Sequence, residues 1–270
     1  MTAGERHETQ SIQALERGLA VLQVFSREHP ALTLSEVARL AGTTRATARR
    51  ILLTLERLGH VRSDGKRFAL TPRVLSLGWA YLSSLDIWEI AQPLMQELVA
   101  RTGESCSAAT LDLPDIVYVA RVPTRRIMSI TLGVGTRLPA HATSMGRVLL
   151  ADLADDDLDA FLAATPLQGY TPRTITDPAR LRRALEKTRS QGWALVDQEL
   201  ELGLRSAAAP LRGADGRVIA ALNLSAAASR VPLEDLRSGF VPLLLDSAQT
   251  ISTAIARSAH AGLDSAPRTF

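Results

Sequence analysis

Apolar residues recur three to four positions apart through the first third of the chain, the spacing that lines one side of a helix. Ile12, Leu15, Leu19, Leu22 and Phe25 predict a helix over residues 11–25, which His29-Pro30 brings to an end. Thr33 followed by Glu36 has the spacing of a capping box, in which hydroxyl and carboxylate take up N–H groups left unpaired at a helix start. The short helix it opens carries Leu34, Val37, Ala38 and Leu40. It stops at Gly42, because glycine accepts the left-handed conformation that closes a helix. Thr43 or Thr44 caps the next helix, which runs to Leu58 before Gly59. Ala48, Ile51, Leu52, Leu55 and Leu58 fall on one side of it, and Ala46, Arg49, Arg50 and Arg57 on the other. Val61–Ser63 and Arg67–Leu70 then flank Asp64-Gly65, a dipeptide suited to the positive φ of a hairpin turn. Two short helices around a glycine turn, the second basic on its outer side and followed by a hairpin, predict a winged helix-turn-helix.

Thr71-Pro72 opens a further helix, since proline is tolerated in a first turn. Val74, Leu75, Leu77, Trp79, Tyr81, Leu82 and Leu85 make this helix apolar around much of its circumference. At a domain junction such a helix either buries one side in a second copy of the chain, the expectation here, or docks on the following domain. Another helix over residues 88–101 ends at Gly103. Beyond it the period shortens. Residues 105–111, 116–122 and 127–132 are short β-prone runs separated by Asp-Leu-Pro-Asp and Pro-Thr-Arg-Arg turns. A loop over 133–141 leads into a helix over 142–151, and a short helix covers 155–162. Thr176-Asp177-Pro178 caps a longer one that Gly192 stops. Three more strands over 193–196, 205–211 and 217–225 precede a terminal helix over 233–259. Short connections between consecutive strands favour antiparallel pairing. The pattern predicts five segments: a disordered tail (1–10), the winged helix-turn-helix (11–71), linker helices (72–102), an α+β domain on an antiparallel sheet (103–259), and a tail (260–270).

Composition adds placement. A chain of 270 residues holds about two domains at roughly 100–200 residues each. Hydrophobic residues make up 46% and mean hydropathy is +0.06, enough for packed cores. Net charge is only +3, but residues 1–75 hold 12 Lys/Arg against 7 Asp/Glu, and the remainder 19 against 21. The first segment therefore suits a polyanion, and the second has no general attraction to one. A lone cysteine, Cys106, excludes an internal disulfide. It fits a reducing cytoplasm, as does the polar, charged start MTAGERHETQ, which does not read as a signal peptide. No apolar run approaches the roughly 20 residues that span a bilayer.

On the predicted recognition helix and wing, the candidates for double-stranded DNA are Thr44, Arg45, Thr47, Arg49, Arg50, Arg62, Lys66 and Arg67. Arg45, Arg49 and Arg50 would position or read the major groove, and Arg62, Lys66 and Arg67 would hold phosphates. The bland alternative is a helical hairpin with a solvated basic face, against which the uneven charge argues. In the last strand, alternation places Asn223 and Ser225 on one face, and Ser206 opens the partner strand. Beside them the helix start Ala142-Thr143-Ser144-Met145-Gly146 leaves backbone N–H groups approachable, a place to hold a carboxylate. Local backbone satisfaction of Asn223 and Ser225 is the alternative. Catalysis finds little support. The five histidines are scattered, with no metal-ligand spacing, and there is neither a G-x-S-x-G nor a Walker loop. A Ser206/His141/Asp197 triad can be written down, as in any long chain. Asp155-Asp156-Asp157 marks a helix start rather than a metal site. No catalytic residue, metal or cofactor is expected.

The stretches SIQALERGLAVLQVF, LTLSEVARLAGTTRATARRILLTLERLGHV, GTRLPAHATSMGRVLLA, GLRSAAAPL and GRVIAALNLSA resemble the isocitrate lyase regulator (IclR) family of bacterial transcription factors, in order and over residues 11–257. The piece ARVPTRRIMSITLGVGTRLPAHATSMGRVLLA is similar to the branch controlling protocatechuate, 4-hydroxybenzoate and β-ketoadipate pathways. The resemblance implies a winged helix-turn-helix, a linker helix and a GAF-like effector domain, in homodimers or tetramers on palindromic operators. By position it implies an effector pocket at Ala142, Thr143, Met145, Gly146, Ser206, Asn223 and Ser225. Ser206 stands where several relatives have cysteine, and Asn223 where they have serine, so a glyoxylate- or pyruvate-type ligand does not transfer. Arg125 and Arg126 either pair an aromatic acid's carboxylate or lie on the surface. The competing functions are an enzyme or metabolite-binding sensor whose basic segment docks something other than DNA, and a structural dimer that binds nothing.

Overall fold

In the computed structural model the described residues are 11–26, 28–83, 87–124 and 132–264. The expected tail over 1–10, the expected strand over 127–132 except Leu132, and Arg125 and Arg126 lie outside them. The chain divides between residues 84 and 85 into two compact units.

The first unit begins with α1 (Gln13–Gln23). It meets the core through Val21, with Leu22 and Phe25 packed against it. Ile12, Leu15 and Leu19, expected inside, are exposed instead. Strand β1 (Leu32–Thr33) leads into α2 (Leu34–Leu40), and the capping box is formed as predicted. The Glu36 N–H donates to Thr33 Oγ1 at 3.4 Å, and the Thr33 N–H donates to the Glu36 carboxylate at 2.8 Å. Gly42 closes the helix at φ +60. Thr44 caps α3 (Arg45–Arg57), accepting from the Thr47 N–H at 3.2 Å. Ala48, Leu52 and Leu55 of α3 are buried, whereas Leu58, at its C-cap, points outward. Strands β2 (Val61–Ser63) and β3 (Arg67–Leu70) form the wing, and β1 completes a sheet in the order β1-β3-β2. A 3-10 turn (Pro72–Val74) and α4 (Leu75–Ser83) end this unit. Leu75, Leu77, Trp79 and Tyr81 of α4 are all exposed.

The second unit starts with α5 (Ile87–Thr102), so the two helices read together as a linker fall on opposite sides of the division. Strands β4 (Ser105–Asp112) and β5 (Asp115–Val122) form a hairpin. Strand β6 (Arg137–Pro139) lies inside the expected loop over 133–141 and pairs with β5. It is short, at a sheet edge, and ends in proline, so it offers no alternation to read. A 3-10 turn (Ala140–Ala142) precedes α6 (Ser144–Ala151), whose cap is Thr143. After α7 (Asp155–Ala164) comes α8 (Pro178–Gln191), with Asp177 as cap and Gly192 closing it at φ +81. Strands β7 (Ala194–Asp197), β8 (Leu204–Arg212) and β9 (Val218–Ala227) complete an antiparallel sheet ordered β6-β5-β4-β9-β8-β7. A short α9 (Leu233–Asp235) and a π turn (Leu236–Phe240) lead into α10 (Val241–Asp264). This last helix runs five residues past the expected end at 259. Helix α6 packs on one face of the sheet with α8 behind it, and α5 and α10 cover the other face.

Candidate DNA interface and effector cavity

In the first unit every predicted nucleic-acid contact is on one helix or the hairpin after it. Burial of Ala48, Leu52 and Leu55 turns the opposite side of α3 to solvent, where Arg45, Arg49 and Arg50 are exposed. Thr44 is exposed at the cap, and Thr47 is half-buried one turn on. The wing is held by its own turn. Asp64 Oδ1 accepts from the N–H groups of Lys66 and Arg67 at 2.9 and 2.7 Å, and Gly65 adopts φ +91. Those two N–H groups hold the Asp64 carboxyl below its usual range. Arg62, Lys66 and Arg67 are exposed around this turn. Among the described residues no carboxylate forms an ion pair with any of these six cations, though Arg67 lies within electrostatic reach of Glu36 and Asp64, so the set remains available to phosphate.

In the second unit a cavity lies between the sheet and the start of α6. It is lined by Tyr118, Arg121, Leu132, Leu138, Ala142, Thr143, Ser144, Met145, Val196, Leu200, Glu201, Leu204, Ser206, Asn223 and Ser225. The register explains the convergence, because residues directly opposite on paired strands share a face. Ser206 faces Ser225, Ser225 faces Ser105, and Asn223 faces Ser107. The Asn223 side chain is engaged at both ends: its Oδ1 accepts from the Ser107 N–H at 3.1 Å and its Nδ2 donates to Ser225 Oγ at 3.0 Å. Ser225 therefore keeps its own O–H proton to offer into the cavity. At the start of α6 the Thr143 hydroxyl accepts from the Gly146 N–H at 3.1 Å. The N–H groups of Ser144 and Met145, in the first turn, have no intrahelical acceptor. The Ser144 hydroxyl is buried with no hydrogen-bond partner among the described residues. A buried donor left open in this way is costly unless something accepts from it. Burial also pushes the Tyr118 phenol up to about 12, so it is a neutral donor in the wall.

Behind the cavity a buried ion pair fixes the frame. Arg147 of α6 reaches Glu199 at 2.5 Å and also donates to the His141 carbonyl at 3.3 Å. Glu199 accepts from the Ile175 N–H at 3.1 Å. The loop carrying Leu200 and Glu201 into the cavity wall is thereby tied to α6.

Family models described as the IclR helix-turn-helix domain and the bacterial transcriptional regulator IclR C-terminal match residues 14–65 and 79–253. The chain belongs to the IclR family. It is 44% identical to the Pca regulon regulatory protein of Pseudomonas putida, over 88% of this chain and 82% of that protein. A solved structure of a transcriptional regulator from Rhodococcus sp. RHA1 matches at 52% identity and a TM-score of 0.81, covering 92% of this chain and 100% of that one. An IclR homolog from Microbacterium hydrocarbonoxydans, solved with 4-hydroxybenzoate, matches at 28% identity and a TM-score of 0.80, over 91% and 100%. The chain is a DNA-binding transcriptional regulator rather than an enzyme. No helix among the described residues is long and apolar enough to cross a membrane.

In this IclR-family chain the structure brings six of the seven expected effector residues to one cavity: Ala142, Thr143, Met145, Ser206, Asn223 and Ser225. Gly146 is not in the lining. A Cβ there would meet the Ala140 carbonyl oxygen at 2.0 Å, so the glycine serves the close approach of α6 to the turn before it. The Ser206/His141/Asp197 set does not assemble. The His141 ring bonds the Gln168 carbonyl at 3.0 Å, and Asp197 is paired with Arg173 and Arg205. Ser144, Tyr118 and Arg121 were not singled out from the sequence. Ser144 sits within the helix-start run and could have been found there. Tyr118 and Arg121 could not, because residues three apart on a regular strand point to opposite faces. A bulge at Val119 resets the alternation: Tyr118 pairs with Ala109 and Arg121 with Ser107, both on the cavity face.

Proposed function

We propose that operator binding by this regulator is controlled by a small carboxylate effector, of the aromatic-acid or β-ketoadipate type, held in the cavity under α6. The observation that carries the reading is the open Ser144 hydroxyl at the head of α6, beside two N–H groups without intrahelical acceptors and walls of Leu132, Leu138, Val196, Leu200 and Leu204. A helix start favours an anion, and apolar walls suit a flat ring or short chain. The Pca-type relative and the 4-hydroxybenzoate-bound neighbour support the same class. The regulator works in the cytoplasm as a homodimer or tetramer on a palindromic operator. Its exposed apolar residues, Ile12 at the cap of α1, Leu15 and Leu19 on α1, and Leu75, Leu77, Trp79 and Tyr81 on α4, are the surfaces that a second copy would cover. The effector shifts DNA binding by preferring one arrangement of the units over another, since only differential affinity moves an equilibrium.

Thermal unfolding with protocatechuate, 4-hydroxybenzoate, β-ketoadipate, glyoxylate and pyruvate tests this. An effector at 100 times its dissociation constant stabilises the native state by about 2.7 kcal/mol. One of the aromatic or dicarboxylic acids should raise the second unit's transition, and Ser144→Ala should weaken that shift. No shift with any acid would refute the cavity reading and leave the DNA-binding assignment standing.

A further inference from the structure

We infer that a basic cleft at the β7 edge of the second unit's sheet is a separate binding site for a phosphate group. The cleft has a volume of about 420 Å³, within the usual size of a small-molecule site. It is walled by α6, α8, β7 and the π turn before α10, and it shares no lining residue with the effector cavity. Strand alternation separates the two, since Val196 lines the cavity and its neighbour Leu195 lines the cleft. Gly192 closes α8 at φ +81, and Gln191 Nε2 donates to the Trp193 carbonyl at 2.6 Å, so a fixed tight turn joins α8 to β7. Lys187 lies four residues before Gln191, on the same side of α8.

Three cations line this cleft, Arg147, Lys187 and Arg237, and no carboxylate joins them among the described residues of its lining. Lys187 has no ion-pair partner among the described residues, and Arg237 has only Glu234, at 3.8 Å on the surface. Arg147 is the buried member, with its side chain 5% exposed. Its Nε and Nη2 are taken by the His141 carbonyl and Glu199, while Nη1 has no hydrogen-bond partner among the described residues. A donor left open at such burial is costly unless a ligand accepts from it. A monocarboxylate brings one charge to three cations. A phosphate monoester brings about −1.5 to −2 at pH 7 and three acceptor oxygens, which suit two guanidinium forks and one ammonium. Trp193 and Leu195 add an apolar side for the organic group of an ester.

Titration calorimetry on the full chain at constant ionic strength, with inorganic phosphate and phenyl phosphate as probes, tests this. The parent should bind at least one of them. Tighter binding of phenyl phosphate supports an ester as the ligand, and binding of inorganic phosphate at least as tight supports the free ion. Lys187→Met and Arg237→Met, both at exposed positions, should each weaken binding by about tenfold or more, the weight of one charge-assisted contact. Arg147→Met/Glu199→Leu, which leaves no unpaired charge inside, should weaken it at least as far. Absence of binding by both probes overturns the site, as does an affinity that survives Lys187→Met and Arg237→Met. An affinity that falls instead with Ser144→Ala or with Lys66→Ala places the phosphate in the effector cavity or on the wing, and overturns the cleft as well.

Discussion

In the first unit no carboxylate among the described residues forms an ion pair with Arg45, Arg49, Arg50, Arg62, Lys66 or Arg67, whereas in the second unit Arg147 and Arg205 are buried and close onto Glu199 and Asp197. The same residue type therefore does two jobs. An exposed, unpaired arginine keeps its water, costs little to fold, and attracts a polyanion over a screening length. A buried arginine has lost that water and must be paired, so it serves as a rigid brace. Arg121 belongs to neither set, since it is half-buried on the cavity wall and unpaired by any carboxylate among the described residues.

The largest effect should come from breaking a brace. Arg147→Met leaves Glu199 buried without its partner, and removing one member of such a pair costs about 3–5 kcal/mol. Calorimetry should show the second unit's transition fall sharply and the first unit's stay in place. Arg147→Met/Glu199→Leu should recover most of the loss, because two apolar side chains need no counter-charge. A single variant as stable as the parent would mean the pair does not hold the cavity's frame.

The two units also differed in how far their sequence could be read, for a related reason. The signals in the first unit are local. Thr33 meets Glu36 three residues on, Thr44 meets Thr47, and Gly42, Gly59 and Gly65 take the positive φ that their turns require. Such pairs are visible in sequence because the partners lie within one turn of chain. In the second unit the cavity joins β5 to β8 and to the head of α6. Strand alternation located Asn223, Ser225 and Ser206, but one inserted residue at Val119 hid Tyr118 and Arg121. Periodicity misled in α1, where Ile12, Leu15 and Leu19 form a true apolar stripe that this unit leaves uncovered. A stripe shows that a surface needs a partner, not which partner it has.

A smaller effect tests the exposed set. Arg49→Ala removes a cation from the outer side of α3, where one good base contact is worth about 1–3 kcal/mol. Operator affinity measured by fluorescence anisotropy at fixed salt should fall accordingly, with both unfolding transitions unchanged. Lys66→Ala in the wing should instead weaken binding evenly across DNA sequences and flatten the salt dependence by about one unit of slope. Undiminished operator binding by the Arg49 variant would remove α3 from the reading head.

The smallest effect concerns the local signals themselves. Thr33→Ala deletes the cap of α2 and should lower the first unit's stability by about 1 kcal/mol, leaving the second unit's transition where it was. The pH dependence gives a finer test. Hydrogen bonds from the Thr33 N–H and hydroxyl hold the Glu36 carboxyl below its usual range. A carboxyl lowered on folding adds stability that is complete above its unfolded value and is lost as pH falls through the lowered folded value. The parent's first unit should therefore weaken on acidification. Thr33→Ala keeps the backbone donor and loses the hydroxyl, so its stability should fall less over the same acid range. NMR titration of Glu36 reads the cause directly: its pKa should rise in the variant but stay below that of an unpaired glutamate. An unchanged Glu36 pKa would mean that the backbone donor alone sets it, and the hydroxyl's part in the capping box would be confined to the Glu36 N–H.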